Sequence, residues 1–299
     1  MNQDKPEVMG IDLGGTTIKL GRFLADGTCL ESWQIPTPQP SSPELVVEAI
    51  SQNVKKVKEK HQIVALGIGT PGPADATGKI ALVAINLAGW QDVPLADLLT
   101  SKTQLPAIIA NDANCAGLGE AWLGAGRGFN NLILLTLGTG VGGAIILDGK
   151  LFTGHLGAAG ELGLITLNPE GPVCNSGNNG SLEQYLSIKA IRSATGKEPV
   201  ELGKLAQAGD LAALEFWQNY GKILGVGLAS LIYVLSPEAI IIGGGIGASA
   251  DFFFPTTLEE IERRVLGSSR QGLQLLRAEL GNNAGMVGGA KLAWGLIAS

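Results

Sequence analysis

The stretch Val8-Met-Gly-Ile-Asp-Leu-Gly-Gly-Thr-Thr-Ile-Lys19 is a short apolar run that ends in a carboxylate, two glycines and two hydroxyls. Val8 to Leu13 reads as a strand, Gly14-Gly15 as a tight turn and Ile18 to Leu24 as the returning strand. Asp26-Gly27 is a hairpin signal into a third, Cys29 to Ile35. The same order then recurs. Asn131 to Leu137 is a strand, Gly138-Thr139-Gly140 a turn, Val141 to Leu147 the return, and Asp148-Gly149 a second Asp-Gly pair. Two repeats of this unit predict an α/β protein of two similar domains facing one another across a central cleft.

The connecting segments fit that scheme. Pro43 to Lys60 has helical periodicity and ends in basic residues, as a helix dipole favours. Ile63 to Ile68 and Ala107 to Ala110 read as buried strands, with a helix from Asp112 to about Leu123. Gly209 to Leu235 is a helix stopped by Ser236-Pro237, and Ala239 to Ile242 is a strand entering Gly243-Gly244-Gly245. Gly285 to Ala298 is a terminal helix expected to pack back on the first domain. The resulting division is 1–115 with 285–299 as a small domain and 116–284 as a large one.

Composition narrows the function. The chain has 299 residues, enough for two cores of ordinary size. Its 44 glycines lie in clusters between apolar runs, which points to backbone-lined ligand loops rather than to low complexity. A net charge of -6 is the wrong sign for a nucleic-acid surface. Cys29, Cys115 and Cys174 are too few and too scattered for a disulfide framework, so a reduced, cytoplasmic setting is expected. No apolar run approaches the ~18 residues of a membrane span, and the start lacks the apolar core of a signal peptide.

Asp12, Gly14, Gly15, Thr16, Thr17 and Lys19 combine a strand-end carboxylate with converging amides, hydroxyls and an ammonium. Glycines let successive N–H groups meet an anion. A carboxylate beside phosphate implies a hard cation between them, and Mg²⁺ bridges such groups through water. The spacing is neither the Walker nor the dinucleotide fingerprint. Taken alone, each glycine turn is equally an ordinary hairpin. With Leu137-Gly-Thr-Gly-Val-Gly-Gly143 and Gly243-Gly244-Gly245 in the same chain, three such turns need a shared reason. Asn111 and Asp112 stand at a strand-to-helix junction, where an Asp is either a helix N-cap or a general base that takes a proton from an attacking hydroxyl.

Asp12-Leu-Gly-Gly-Thr, Gly69-Thr-Pro-Gly72, Asn86-Leu-Ala-Gly-Trp90, Asn111-Asp-Ala-Asn114, Gly138-Thr-Gly140, Ala159-Gly-Glu-Leu-Gly163 and Gly243-Gly-Gly245 occur in the order seen in ROK sugar kinases. The chain resembles that family from about residue 8 to 295, and within it the cyanobacterial glucokinase-type branch. The resemblance implies the actin-like, ribonuclease-H-like two-domain fold. It also implies transfer of phosphate from ATP with Mg²⁺ to O6 of a hexose, most simply glucose, in a homodimer. It makes Asp112 the catalytic base, and Gly72, Asn86, Asn111, Glu161 and Glu183 sugar-binding residues. Asp12 through Lys19 then form the Mg²⁺-phosphate loop, with Asp12 holding the metal through water. Gly138, Thr139 and Gly140 form the second phosphate loop, and Gly244 and Gly245 the turn near adenosine. Mannose, fructose, N-acetylmannosamine and N-acetylglucosamine are rival acceptors, and polyphosphate a rival donor. ROK repressors carry an additional N-terminal DNA-binding domain, for which the position of Asp12 leaves no room.

One departure is plain. The family pattern places a His three residues after Glu161 and then Cys-x-Cys-Gly-x-x-Gly-Cys-x-Glu, a zinc site. Here those positions hold Leu164, Cys174, Ser176 and Ser181, so no zinc site is expected. Asn175, Ser176, Asn178, Asn179 and Ser181 are expected to hold the loop by turn bonds instead. The only histidines, His61 and His155, read as surface and loop residues.

Overall fold

The computed structural model describes residues 5–84 and 86–298. Ser299, the last residue of the expected segment 285–299, lies outside the described residues. The chain divides into two compact units. The first comprises residues 1–127, 151–160 and 282–299, and the second 128–150 and 161–281.

In the first unit the elements run β1 (Glu7–Leu13), β2 (Thr17–Phe23), β3 (Cys29–Pro36), α1 (Pro43–Lys58), β4 (Ile63–Thr70), β5 (Ala81–Val83), β6 (Gln91–Val93), α2 (Leu95–Thr103), β7 (Ala107–Asn111) and α3 (Asp112–Leu123). Five strands form one sheet in the order β3-β2-β1-β4-β7, antiparallel on the β3–β1 side and parallel from β1 to β7. Met9, Ile11 and Leu13 of β1 share a core with Val46, Val47, Ile50 and Val54 of α1.

The second unit repeats the plan. It contains β8 (Leu132–Leu137), β9 (Val141–Leu147), β10 (Lys150–Leu151), α4 (Glu183–Leu186), α5 (Ile188–Thr195), α6 (Pro199–Gln207), α7 (Leu211–Leu235), β11 (Ala239–Gly243), α8 (Ala250–Arg264), α9 (Gly267–Arg270) and β12 (Gln274–Arg277). Its sheet order, β10-β9-β8-β11-β12, matches the first position for position. β8 and β11 are buried on both faces, so they read as continuous apolar runs rather than as alternating ones. Trp217 and Tyr220 of α7 pack on Phe253 of α8 with ring centroids 5.8 and 5.2 Å away. Among the described residues no helix is long and apolar enough to cross a membrane.

The last helix, α10 (Ala284–Ala298), returns to the first unit and lies on the other face of its sheet. Small residues set that approach. A Cβ on Gly10 would stand 2.0 Å from Met286 O, and one on Gly67 1.9 Å from Gly289 O. Along α3, a Cβ on Gly119 would meet Ala284 O at 2.4 Å and one on Gly288 would meet Cys115 O at 1.6 Å. This packing moves the domain boundary. A cut at residue 115 divides α3, whereas α3 lies whole against α10 and the first unit runs on to Arg127. Residues 151–160 also belong to it: a Cβ on Gly157 would fall 2.3 Å from Ala74 O.

Candidate active site

The parallel register of the first sheet sets the carboxyl ends of three strands side by side. Asp12 of β1 pairs with Gly69 of β4, and Thr70 with Asn111 of β7. The N-cap of α3 is Asn111, not Asp112. Its Oδ1 accepts from Ala113 N–H at 2.8 Å and Asn114 N–H at 3.2 Å, and its Nδ2 donates to Gly72 O at 3.2 Å. Asp112 is thereby relieved of the capping role. It is the first helical residue, its Oδ1 accepting from Ala113 N–H at 2.8 Å. Its side chain is open to solvent, yet the protein around it partly desolvates the carboxylate and raises its pKa above the usual aspartate value; the Ala113 N–H partly offsets that, and the negative charge of Asp12 adds to the rise.

Asp12 is itself shifted upward by burial, against the pull of Lys19. Lys19 Nζ lies 3.4 Å from Asp12 Oδ2 and donates to Asn282 O at 2.5 Å, so this ammonium braces the carboxylate against the start of α10. In the turn that follows Asp12, Thr37 Oγ1 donates to Gly14 O at 2.7 Å and Gln39 Nε2 to Gly15 O at 3.5 Å. Peptide planarity then turns the N–H groups of Gly15 and Thr16 the opposite way, the arrangement an anion requires. Thr16 is exposed and Thr17 half-buried. Gly72 adopts φ +91°, with Val83 O only 2.0 Å from where its Cβ would be, so no side chain fits there. The exposed Asn86 stands beside Gly15, its Cβ 3.8 Å from where a Gly15 Cβ would be, on a loop anchored by buried Leu87 and Trp90. Trp90 Nε1 donates to Ser41 O at 2.7 Å.

The second unit uses the same device. Ile188 N–H donates to Gly138 O at 2.8 Å, which turns the neighbouring N–H of exposed Thr139 outward. Glu183 lies on this turn: its Oε2 accepts from Val141 N–H at 2.9 Å and would be 2.5 Å from a Cβ on Gly140. The helix that Glu183 begins is held from behind, where the buried Tyr220 hydroxyl donates to Leu186 O at 2.8 Å. Glu161 is exposed and opens a one-turn 3-10 helix, Leu162–Leu164. Gly244 adopts φ +80°, and a Cβ there would lie 2.2 Å from Leu137 O. Gly138, Thr139, Gly140, Glu183 and Gly244 thus meet at the carboxyl end of β8.

Beside Gly245, which has open space where a Cβ would be, is a cavity of about 170 Å³ lined also by Gly203, Lys204, Gln207, Ser249 and Phe252. The sequence reading missed this wall. The apolar spacing of Leu202, Leu205 and Ala206 after Pro199 was the signal for the helix that carries it. Gly203 faces the glycine turn, since its Cβ would touch Ser249 Oγ at 2.8 Å.

For a metal, among the described residues no group of three or more His, Cys, Asp or Glu could hold an ion alone. Asp12 fits a hard cation of the other kind, a half-buried carboxylate with one oxygen near Lys19, beside amides turned toward an anion. Such an ion would draw its remaining ligands from phosphate oxygens and water. In the loop where the family pattern has its zinc ligands, Leu164 is half-buried and Ser176 Oγ stands 3.3 Å from Cys174 Sγ. Asn178 carries most of the side-chain bonding. The fully buried Ser181 hydroxyl, against expectation, has no hydrogen-bond partner among the described residues.

A model of the ROK family matches residues 8–295. A glucokinase of Halalkalibacterium halodurans is 37% identical, covering 95% of this chain and 94% of its own. The structure of a ROK hexokinase from Thermus thermophilus matches with a TM-score of 0.88 at 35% identity, over 98% of this chain and 99% of that one. A ROK family glucokinase from Streptomyces griseus, solved with glucose and AMPPNP, matches with a TM-score of 0.79 at 34% identity, over 97% and 99%.

Proposed function

The chain belongs to the ROK family, and from that membership we propose that it is an ATP-dependent glucokinase with Asp112 as its general base. Its fold is the two-domain actin-like α/β fold of these kinases. The observation that carries the reading is the state of Asp112: open to solvent at the carboxyl end of β7, excused from capping by Asn111, and raised in pKa by the protein packed around it so that it binds a proton readily.

In the reaction, O6 of glucose attacks the γ-phosphorus of ATP. An O–P bond forms, the bond between the γ-phosphorus and the β,γ-bridging oxygen breaks, and ADP leaves. The hydroxyl proton passes to Asp112 Oδ. Phosphoryl transfer asks the protein mainly for positioning and charge neutralisation. Gly72, Asn86, Asn111, Glu161 and Glu183 are the sugar contacts of this reading. Asn111 has one amide N–H left after Gly72 O, and Glu183 one whole oxygen after Val141 N–H. The amides of Gly15, Thr16 and Thr139 are aimed at phosphate, and the cavity beside Gly245 suits the purine. Asp12 would hold Mg²⁺ through water, and when bound the ion would supply neutralisation of the phosphate charge.

A coupled assay for ADP release, run with glucose, mannose, fructose, N-acetylmannosamine and N-acetylglucosamine, tests the proposal. Glucose is expected to give the highest kcat/KM with ATP, and polyphosphate to substitute poorly. A different preferred sugar would overturn the substrate, and no ADP with any of them the activity.

Gly140→Ala gives a sharper test of the second unit. Gly140 has no positive φ, so alanine is compatible with its backbone, but the new methyl falls on Glu183 Oε2. Glu183 must swing away and release Val141 N–H, a charge-assisted bond worth ~1.5–3 kcal/mol. The expected result is a loss of about tenfold or more in kcat/KM for glucose. Unchanged steady-state kinetics would remove Glu183 from the sugar site.

A further inference from the structure

Glu161 and Glu183 flank a loop that lies within the second unit. Its base is closed by backbone pairing: Leu182 N–H donates to Ile165 O at 2.9 Å, Leu167 N–H to Gly180 O at 2.8 Å, and Thr166 pairs with Ser181. Its tip is a separate turn, with Cys174 N–H donating to Asn178 O at 2.7 Å and Gly177 N–H to Cys174 O at 3.1 Å. One side chain ties this tip to the segment that follows Glu161. Asn178 Nδ2 donates to Leu164 O at 3.0 Å, a contact only an amide N–H can make with a carbonyl. The Thr166 hydroxyl meets the same amide, 2.9 Å from Nδ2 and 3.1 Å from Oδ1. Asn178 Oδ1 also accepts Asn179 N–H at 2.8 Å.

The Leu164 carbonyl is the last of the single turn that Glu161 opens, and the Leu164 N–H closes that turn on Glu161 O at 3.0 Å. A 3-10 turn of this length has few internal bonds of weak geometry, so it stays formed only if its end is capped. Asn178 is that cap. An exposed Glu on a fixed backbone binds a hydroxyl with less ordering left to do than one on a fraying turn.

We propose that Asn178 is a positioning residue for sugar recognition, holding the Glu161 turn in place by hydrogen bonds. The inference rests on the reading of Glu161 as a sugar contact and adds what fixes that contact in place.

Asn178→Asp is the test, because it keeps size and the acceptor for Asn179 N–H while removing both donors. KM for glucose is expected to rise about tenfold, with kcat held within about twofold, since net bonds of this kind contribute on the order of one tenfold step. KM for ATP and the melting temperature should stay close to wild type. Thr166→Val should raise KM for glucose less, and adding it to Asn178→Asp should raise KM no further. Exposed Asn175→Ala, at the same tip, should behave as wild type. An unchanged KM for glucose in Asn178→Asp overturns the proposal. So does a rise in both KM values together with a fall in melting temperature, the mark of general loosening. Wild-type protein that phosphorylates no hexose in the same assay would instead overturn the kinase reading, and this inference with it.

Discussion

Asp112→Asn is expected to lose at least ~10²-fold in kcat with glucose and ATP, and yet to melt at a higher temperature than the wild type at neutral pH. The first half follows from removing the proton acceptor. Asparagine keeps the oxygen that accepts Ala113 N–H, so α3 and the Asn111 cap stay formed. The second half follows from partial desolvation by the surrounding protein, which raises the Asp112 pKa in the folded chain, with Asp12 adding to the rise. A carboxyl that holds its proton more tightly when folded contributes stability below its unfolded pKa. That contribution is lost as pH rises through the folded pKa. At neutral pH the wild type therefore carries the cost of a partly desolvated charge that Asn lacks, a small one because the carboxylate still meets solvent. The same shift places the acid limb of the kcat/KM profile above the ordinary aspartate range, and Asp12→Asn should move that limb to lower pH. Retained turnover in Asp112→Asn would remove it as the base. A melting temperature below wild type would mean that ionised Asp112 is stabilised by groups other than those seen around it.

Much of this was legible in the sequence because it rests on local chemistry. The Gly14-Gly15 and Gly138-Thr139-Gly140 turns, and the Asp-Gly pairs that follow each returning strand, carry their geometry in residue type. The repeat they mark appears as two sheets of identical strand order. The less visible parts depend on partners distant in the chain. Asn111 takes the cap from Asp112 because its amide also reaches Gly72 O, which nothing in Asn111-Asp112 announces. Lys19 reads as a phosphate ligand from its place in the motif, and nothing there announces that one of its N–H donors goes to the carbonyl of Asn282, 263 residues away. The wall formed by Gly203, Lys204 and Gln207 was missed because it matters only through a glycine turn more than thirty residues later. Pro255 obscured α8, where it sits in the first turns of a helix that tertiary packing nonetheless sustains. The boundary at residue 115 failed for a related reason: a strand-to-helix junction looks like a hinge until the helix is seen lying along α10.

That packing supports the second large effect, in which Gly288→Ala and Gly295→Ala, on the same helix, move stability in opposite directions. Intrinsic propensity favours alanine at both places by up to ~1 kcal/mol. At Gly295 nothing lies within 4 Å of the new methyl, so propensity decides and the melting temperature should rise slightly. At Gly288 the methyl would sit 1.6 Å from Cys115 O and 2.4 Å from Cys115 C, both backbone atoms that no rotamer change can move. The helices must separate by more than an ångström, which opens the contacts of Gly119 with Ala284 as well. Overpacking against backbone costs ~3 kcal/mol or more, well above the propensity gain. The expected fall in melting temperature is on the order of 10 °C. Activity should suffer below that temperature too, because Cys115 lies one helical turn from Asp112 and the displaced α3 carries the base with it. Thermal denaturation of the two variants side by side decides the matter: a rise for both would mean that α10 does not press on α3 at Cys115, and that the glycines of this helix serve no close approach.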